Sequence, residues 1–192
     1  TNNGSLERNA HQLLESLKEV HYNGLNKQDY HYLLIMDLIN LNESNQRKQF
    51  HLHALIPKID ILLTSAFLKY AKDLHEGKLD SLRLDFTWER SNKQKNYAAI
   101  LNQAIEKKNI TSTLNNLEPK HKQYKKLKNA LKKLYYLKEN GSWIVPGNVP
   151  TLELYDSSIY VAKIKLLLAG TDDLSVKDPL KSNKYIFNNQ LE

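Results

Sequence analysis

The stretch that decides the fold is residues 57–77, PKIDILLTSAFLKYAKDLHEG. Its apolar positions, Ile59, Leu62, Leu63, Ala66, Phe67, Tyr70, Ala71 and Leu74, recur every three or four residues, the period of an α-helix. The stripe they form is wide, as expected of a helix that packs on several sides in the middle of a core. Gly77 stops it, at a position where the backbone turns left-handed most easily. Upstream the helical pattern begins at about Asn45. Pro57 lacks an amide donor and crowds the turn before it, so the pattern predicts an end or kink near Ile56.

Working outward, residues 6–20 carry Leu6, Ala10, Leu13, Leu14 and Leu17 on one face, a one-sided helix closed by Asn23 and Gly24. A second helix is expected over 27–41 through Leu33, Leu34, Leu38 and Leu41. Residues 78–95 are irregular and include Trp88. Short helices follow at 97–107 and 111–117, the latter with Thr111 as its cap. Pro119 opens a long amphipathic helix running to Gly141, with Tyr124, Leu127, Leu131, Leu134 and Tyr135 as its apolar seam. Gly141, Pro146, Gly147 and Pro150 then mark a linker around Trp143. A last helix is expected over 158–169, stopping at Gly170. The fold class is therefore mainly α: an N-terminal helix (1–24), a multi-helix domain (25–141), a linker (142–155) and a partial helical second module (156–192). About forty residues without disulfide or metal seldom fold alone, so the last segment reads as part of something larger.

Composition narrows the function. The chain of 192 residues is 41% hydrophobic, enough for a core, and carries 28 Lys and Arg against 21 Asp and Glu, a formal net charge of +7. Such a surplus attracts anionic partners: nucleic acid, acidic lipid or wall polymer. There is no cysteine, which excludes disulfides, thiolate metal sites and a cysteine nucleophile. No apolar run approaches the roughly 20 residues of a membrane span. The opening residues lack the apolar core of a signal peptide.

His51 and His53 lie two apart, which on a helix sends them in different directions, and the other five histidines are scattered. Asp172, Asp173 and Asp178 lack the alternation and closing Glu of a calcium loop. Asp80, Asp85 and Glu89 flank Trp88 with a spacing better suited to turns than to a glycosidase pair. No nucleophile motif and no glycine-rich phosphate loop occurs among only six glycines. The reading is no catalytic residue, no metal and no cofactor. The positive signal is a basic face on the long helix, with Lys122, Lys125, Lys126, Lys132 and Lys133 as candidate binding residues. That face either docks an anionic polymer or acidic partner, or is the solvated side of an amphipathic helix. Arginine, the usual reader of base edges, is absent from it, which argues against sequence-specific nucleic-acid binding.

Three blocks resemble one known family. Residues 62–80, LLTSAFLKYAKDLHEGKLD, followed by Trp88, resemble the helix-and-turn signature of the L,D-transpeptidase scaffold domain, a module of large multi-domain periplasmic enzymes. Residues 117–131, LEPKHKQYKKLKNAL, resemble its second block, and Gly141, Trp143, Pro146, Gly147, Pro150 and Leu152 its exit linker. Asp156 through Gly170 is similar to the first helix of a peptidoglycan-binding module. Lys125, Lys126, Lys163 and Lys165 stand where the family has arginines. The resemblance covers roughly residues 25–170 and gives Phe67, Tyr70, Gly77, Trp88, Pro119, Tyr124, Leu127 and Trp143 as structural motif positions.

The resemblance implies a bacterial cell-envelope protein of the periplasm. Its parent enzyme would make 3→3 peptidoglycan cross-links through an acyl-enzyme on cysteine. A chain without cysteine is then a non-catalytic piece that positions the catalytic domain and its substrate, with peptidoglycan as a further partner and the rest of the protein expected beyond Gly170. The alternative is a stand-alone module that binds an anionic polymer, cell wall or nucleic acid, through the basic helix.

Overall fold

The computed structural model describes residues 5–47, 55–79, 95–140, 148, 150–171, 173–174 and 185–187. The chain forms two compact units, Thr1–Lys125 and Lys126–Glu192. The architecture is mainly α, and the described residues hold no strand, only an isolated bridge between Ser157 and Ile186.

The first unit is built on helix α3, Leu55–Glu76, which buries Ile59, Leu63, Ala66, Phe67, Tyr70, Ala71 and Leu74. That is the stripe read from the sequence, with Leu62 half-buried at its edge. Helices α1 (Arg8–Lys18), α2 (Tyr32–Arg47), α4 (Tyr97–Glu106) and α5 (Ile110–Leu117) all pack against α3. They contribute Leu13, Leu14 and Leu17, then Ile35, Leu38 and Ile39, then Ala104, and then Ile110, Leu114 and Leu117 to one apolar core. Phe67 sits at its centre with 0% exposure. Burying a side chain of that size stabilises by about 3 kcal/mol, which is why α3 organises the unit.

Several boundaries differ from the sequence reading, each for a local reason. Pro57 neither ends nor kinks a helix: it is the third residue of α3, where its absent N–H would have had no helical partner. Helix α2 starts at Tyr32 rather than at residue 27, because Asn26 accepts from the Gln28 amide and nucleates a 3-10 turn over Lys27–Tyr30. His31 leaves that turn with a left-handed φ of 55°. Helix α1 ends at Lys18, and Gly24, at φ 73°, caps the following 3-10 turn Val20–Asn23. Helix α5 begins at Ile110, so its N-cap residue is Asn109 and not Thr111.

The turn between α4 and α5 is held by side chains of α1. Asn9 donates from Nδ2 to the Ile105 carbonyl at 3.1 Å, and Gln12 from Nε2 to the Lys108 carbonyl at 3.2 Å. Two amides one helical turn apart on α1 thereby add donors to carbonyls at and beyond the end of α4, the first of which also accepts from the Lys108 amide.

The long helix α6, Lys122–Glu139, starts three residues after Pro119. Proline forces the residue before it into an extended conformation, and Glu118 duly closes α5 at φ −61°, ψ 147°. Within the second unit α6 buries Leu137 and helix α7, Ile159–Thr171, buries Val161, Ala162 and Lys165. Gly170 lies inside α7, one residue before its end, instead of stopping it. A Cβ there would come 2.8 Å from Leu137 Cδ2, so the glycine allows the two helices their close approach. The segment before α7 is tied to residues 185–187: the Tyr155 amide donates to the Phe187 carbonyl at 2.7 Å and the Ser158 amide to the Tyr185 carbonyl at 2.8 Å.

Candidate functional site

Of the motif positions named from the sequence, Tyr70 and Tyr124 are joined in the first unit through Asn23, a residue that the sequence marks only as a helix breaker. Phe67 and Tyr70 are three apart on α3 and share its inner face. The Tyr70 hydroxyl accepts from Asn23 Nδ2 at 2.9 Å, and Asn23 Oδ1 accepts from the Tyr124 hydroxyl at 2.8 Å. One carboxamide, with a donor on one arm and an acceptor on the other, thus joins the turn after α1 to the middle of α3 and the start of α6. Tyr70 is only 3% exposed, so its hydroxyl depends on this partner.

The same end of α3 collects two more tyrosines. Tyr30 donates to Asp73 Oδ2 at 2.8 Å with its ring 5.2 Å from that of Tyr70, and Tyr97 donates to Glu76 Oε1 at 2.8 Å. Gly77 then ends the helix at φ 78°, and Lys78 forms a 2.6 Å ion pair with Asp29. The lysine's hydrogen bond holds Asp29 below the usual carboxylate range. Burial pushes Tyr124 up to about 12, and burial likewise raises Tyr30, Tyr70 and Tyr97. These phenols are neutral at physiological pH, and their hydrogen bonds tie separate segments of the unit together.

The five candidate lysines lie on α6. At 100° per residue, Lys122, Lys125, Lys126, Lys132 and Lys133 fall within about a third of the helix circumference. The first four are exposed and Lys133 is half-buried. No acidic residue stands in the first turn of α6, although the helix dipole makes that end favourable for anions and unfavourable for Lys122 and Lys125. The apolar seam is only partly covered: Tyr124, Leu131 and Tyr135 are half-buried, whereas Leu127 is 71% and Leu134 39% exposed. Pro119 is exposed in the turn before the helix.

In the second unit Lys165, one of the positions where the resembled family has arginine, is 3% exposed and donates to the Ile186 carbonyl at 2.8 Å. Burial lowers its pKa. Its partner Lys163 lies over the Tyr160 ring, 5.5 Å from the centroid.

Among the described residues no group of three or more His, Asp or Glu side chains is placed to hold a metal ion. A cavity of about 260 Å³ opens between α1, α3, α4 and α5, floored by Leu13, Leu63, Phe67 and Ile110, with Glu7 and Asp60 also lining it. Its lining carries no histidine, lysine or cysteine. No helix among the described residues is long and apolar enough to cross a membrane. Trp88, Trp143, His51, His53, Asp80, Asp85, Glu89, Asp172 and Asp178 lie outside the described residues.

Asn23 escaped sequence reasoning because its partners are 47 and 101 residues away. The available signal was indirect: tyrosines on apolar helix faces, whose hydroxyls need partners once buried.

A family model described as a scaffold domain covers residues 1–131, which includes every helix of the first unit. No curated protein and no solved structure matches the chain.

Proposed function

The chain belongs to the scaffold-domain family, and from that premise we propose that it is the non-catalytic scaffold of an L,D-transpeptidase, holding a cysteine catalytic domain and its peptidoglycan substrate in register. The observation that carries this reading is the Tyr70–Asn23–Tyr124 clasp. Two of the three sequence blocks that resemble the transpeptidase scaffold, residues 62–80 and 117–131, lie far apart in the chain, and each supplies one of the tyrosines that this carboxamide joins. A module whose most specific residues serve to lock helices together, and which has no cysteine anywhere, fits a supporting role in a reaction that needs a cysteine thiolate. The remaining expectations, a periplasmic setting and a peptidoglycan-binding segment beginning at Asp156, belong to the same proposal.

The reading frame that encodes the chain tests it directly. The proposal requires a Ser-His-Gly-Cys segment in the same frame. A frame without one sinks the transpeptidase assignment while leaving the scaffold family intact.

A further inference from the structure

The positive charge of the molecule is not spread over it. Residues 118–139 hold eight lysines and two glutamates, nearly the whole formal surplus of +7. A helix side evolved only for solvation usually mixes signs, because Glu–Lys pairs three or four residues apart stabilise it. Here Lys128 and Lys132 stand at i and i+4 with the same sign. Between Lys126 and Lys138 there is no acid at all.

The apolar residues of this same stretch are set out as a seam. Leu127, Ala130, Leu134 and Leu137 follow spacings of three, four and three, the alternation by which one helix packs along another. Leu137 is buried beside Gly170 of α7, but Leu127, Ala130 and Leu134 are exposed. Lys126 and Lys133 precede the two exposed leucines by one residue, and Lys138 lies four residues beyond Leu134. In a two-helix pairing these are the flanking positions whose charges select the partner.

The geometry points to a docking surface on α6, residues 126–138, for an amphipathic helix of a protein partner that carries an apolar seam bordered by Glu or Asp. A simple polyanion would engage the lysines and leave Leu127 and Leu134 in water, so the apolar seam and the basic flanks together favour a helix. A second copy of the chain is a poor fit, because it would set lysine flanks against lysine flanks. The surface lies wholly within the second unit, and the inference does not depend on the transpeptidase reading.

The test uses the full chain and a labelled synthetic helix of roughly three heptads, with Leu along its seam and Glu at its flanks. A matched peptide with Lys flanks, poly-glutamate and anionic phospholipid vesicles serve as competitors. The inference expects the Glu-flanked peptide to bind, with affinity falling as salt rises. Leu127→Asp with Leu134→Asp should weaken binding at least about tenfold, with the circular-dichroism spectrum unchanged because both side chains are exposed. Lys126→Glu with Lys133→Glu and Lys138→Glu should transfer preference to the Lys-flanked peptide. Equal binding of both peptides, binding of poly-glutamate or vesicles that ignores the leucine changes, self-association through this face, or no binding of the Glu-flanked peptide would each overturn it.

Discussion

Replacing Asn23 by alanine probes the clasp that joins residues 62–80 to residues 117–131. The change removes the donor to the Tyr70 hydroxyl and the acceptor for the Tyr124 hydroxyl. The consequences are unequal, since Tyr70 is 3% exposed and Tyr124 half-buried. A buried hydroxyl left unpaired costs about 1–3 kcal/mol, while one that water reaches loses only the net worth of its bond, about 0.5–1.5 kcal/mol. Asn23→Ala should therefore destabilise by about 2–3 kcal/mol, and Tyr124→Phe by about 1 kcal/mol. Because Tyr124 acts on the clasp only through Asn23, the Tyr124→Phe cost should largely vanish in the Asn23→Ala background, a coupling of about 1 kcal/mol. Urea unfolding of the four proteins, followed by far-ultraviolet circular dichroism, gives all three values. Strict additivity, or an Asn23→Ala protein within about 0.5 kcal/mol of the parent, would refute the clasp as a unit.

Three further outcomes follow from the same geometry. Phe67→Ala opens a cavity at the centre of the core and should cost about 3–5 kcal/mol, against less than about 0.5 kcal/mol for Leu127→Ala on the exposed seam; thermal melts separate the two. Gly77→Ala places a side chain at φ 78° and should cost about 1–2 kcal/mol in the same melts, with helix content preserved. At alkaline pH the tyrosines set the slope: in the folded state Tyr124 titrates at about 12, with Tyr30, Tyr70 and Tyr97 also raised above the ordinary value of 10.0. The unfolded chain then loses protons first, so stability is full below pH 10 and falls as pH rises from about 10 to 12. Chemical denaturation across that window should show the fall, and Tyr124→Phe should make it shallower.

How far the fold was legible follows from how local each signal is. The stripe from Ile59 to Leu74 is a property of consecutive residues on one helix, and the structure buries it nearly as written. Pro57 misled because proline has opposite meanings in a first turn and in a helix interior, and the boundary that distinguishes them is not in the local pattern. The α6 seam was recognisable as amphipathic, but which leucines are covered depends on what packs there: Leu137 meets Gly170 of α7, while Leu127 is 71% exposed. Asn23 was beyond reach for a stronger reason. Its role is created by two tyrosines brought together only once α3 and α6 are in place. The basic face was visible in composition, whereas its relation to the exposed seam needed the helix in three dimensions.

The central claim, that this chain is the scaffold of a transpeptidase and not an enzyme itself, is tested most directly by muropeptide analysis of a host strain whose copy of the gene lacks the residues 1–131 segment in frame. The account predicts loss of 3→3 cross-linked dimers, with other cross-links unchanged, and no such dimers formed by the purified chain alone. An unaltered 3→3 fraction in the deletion strain, or cross-linking by the isolated chain, would contradict it.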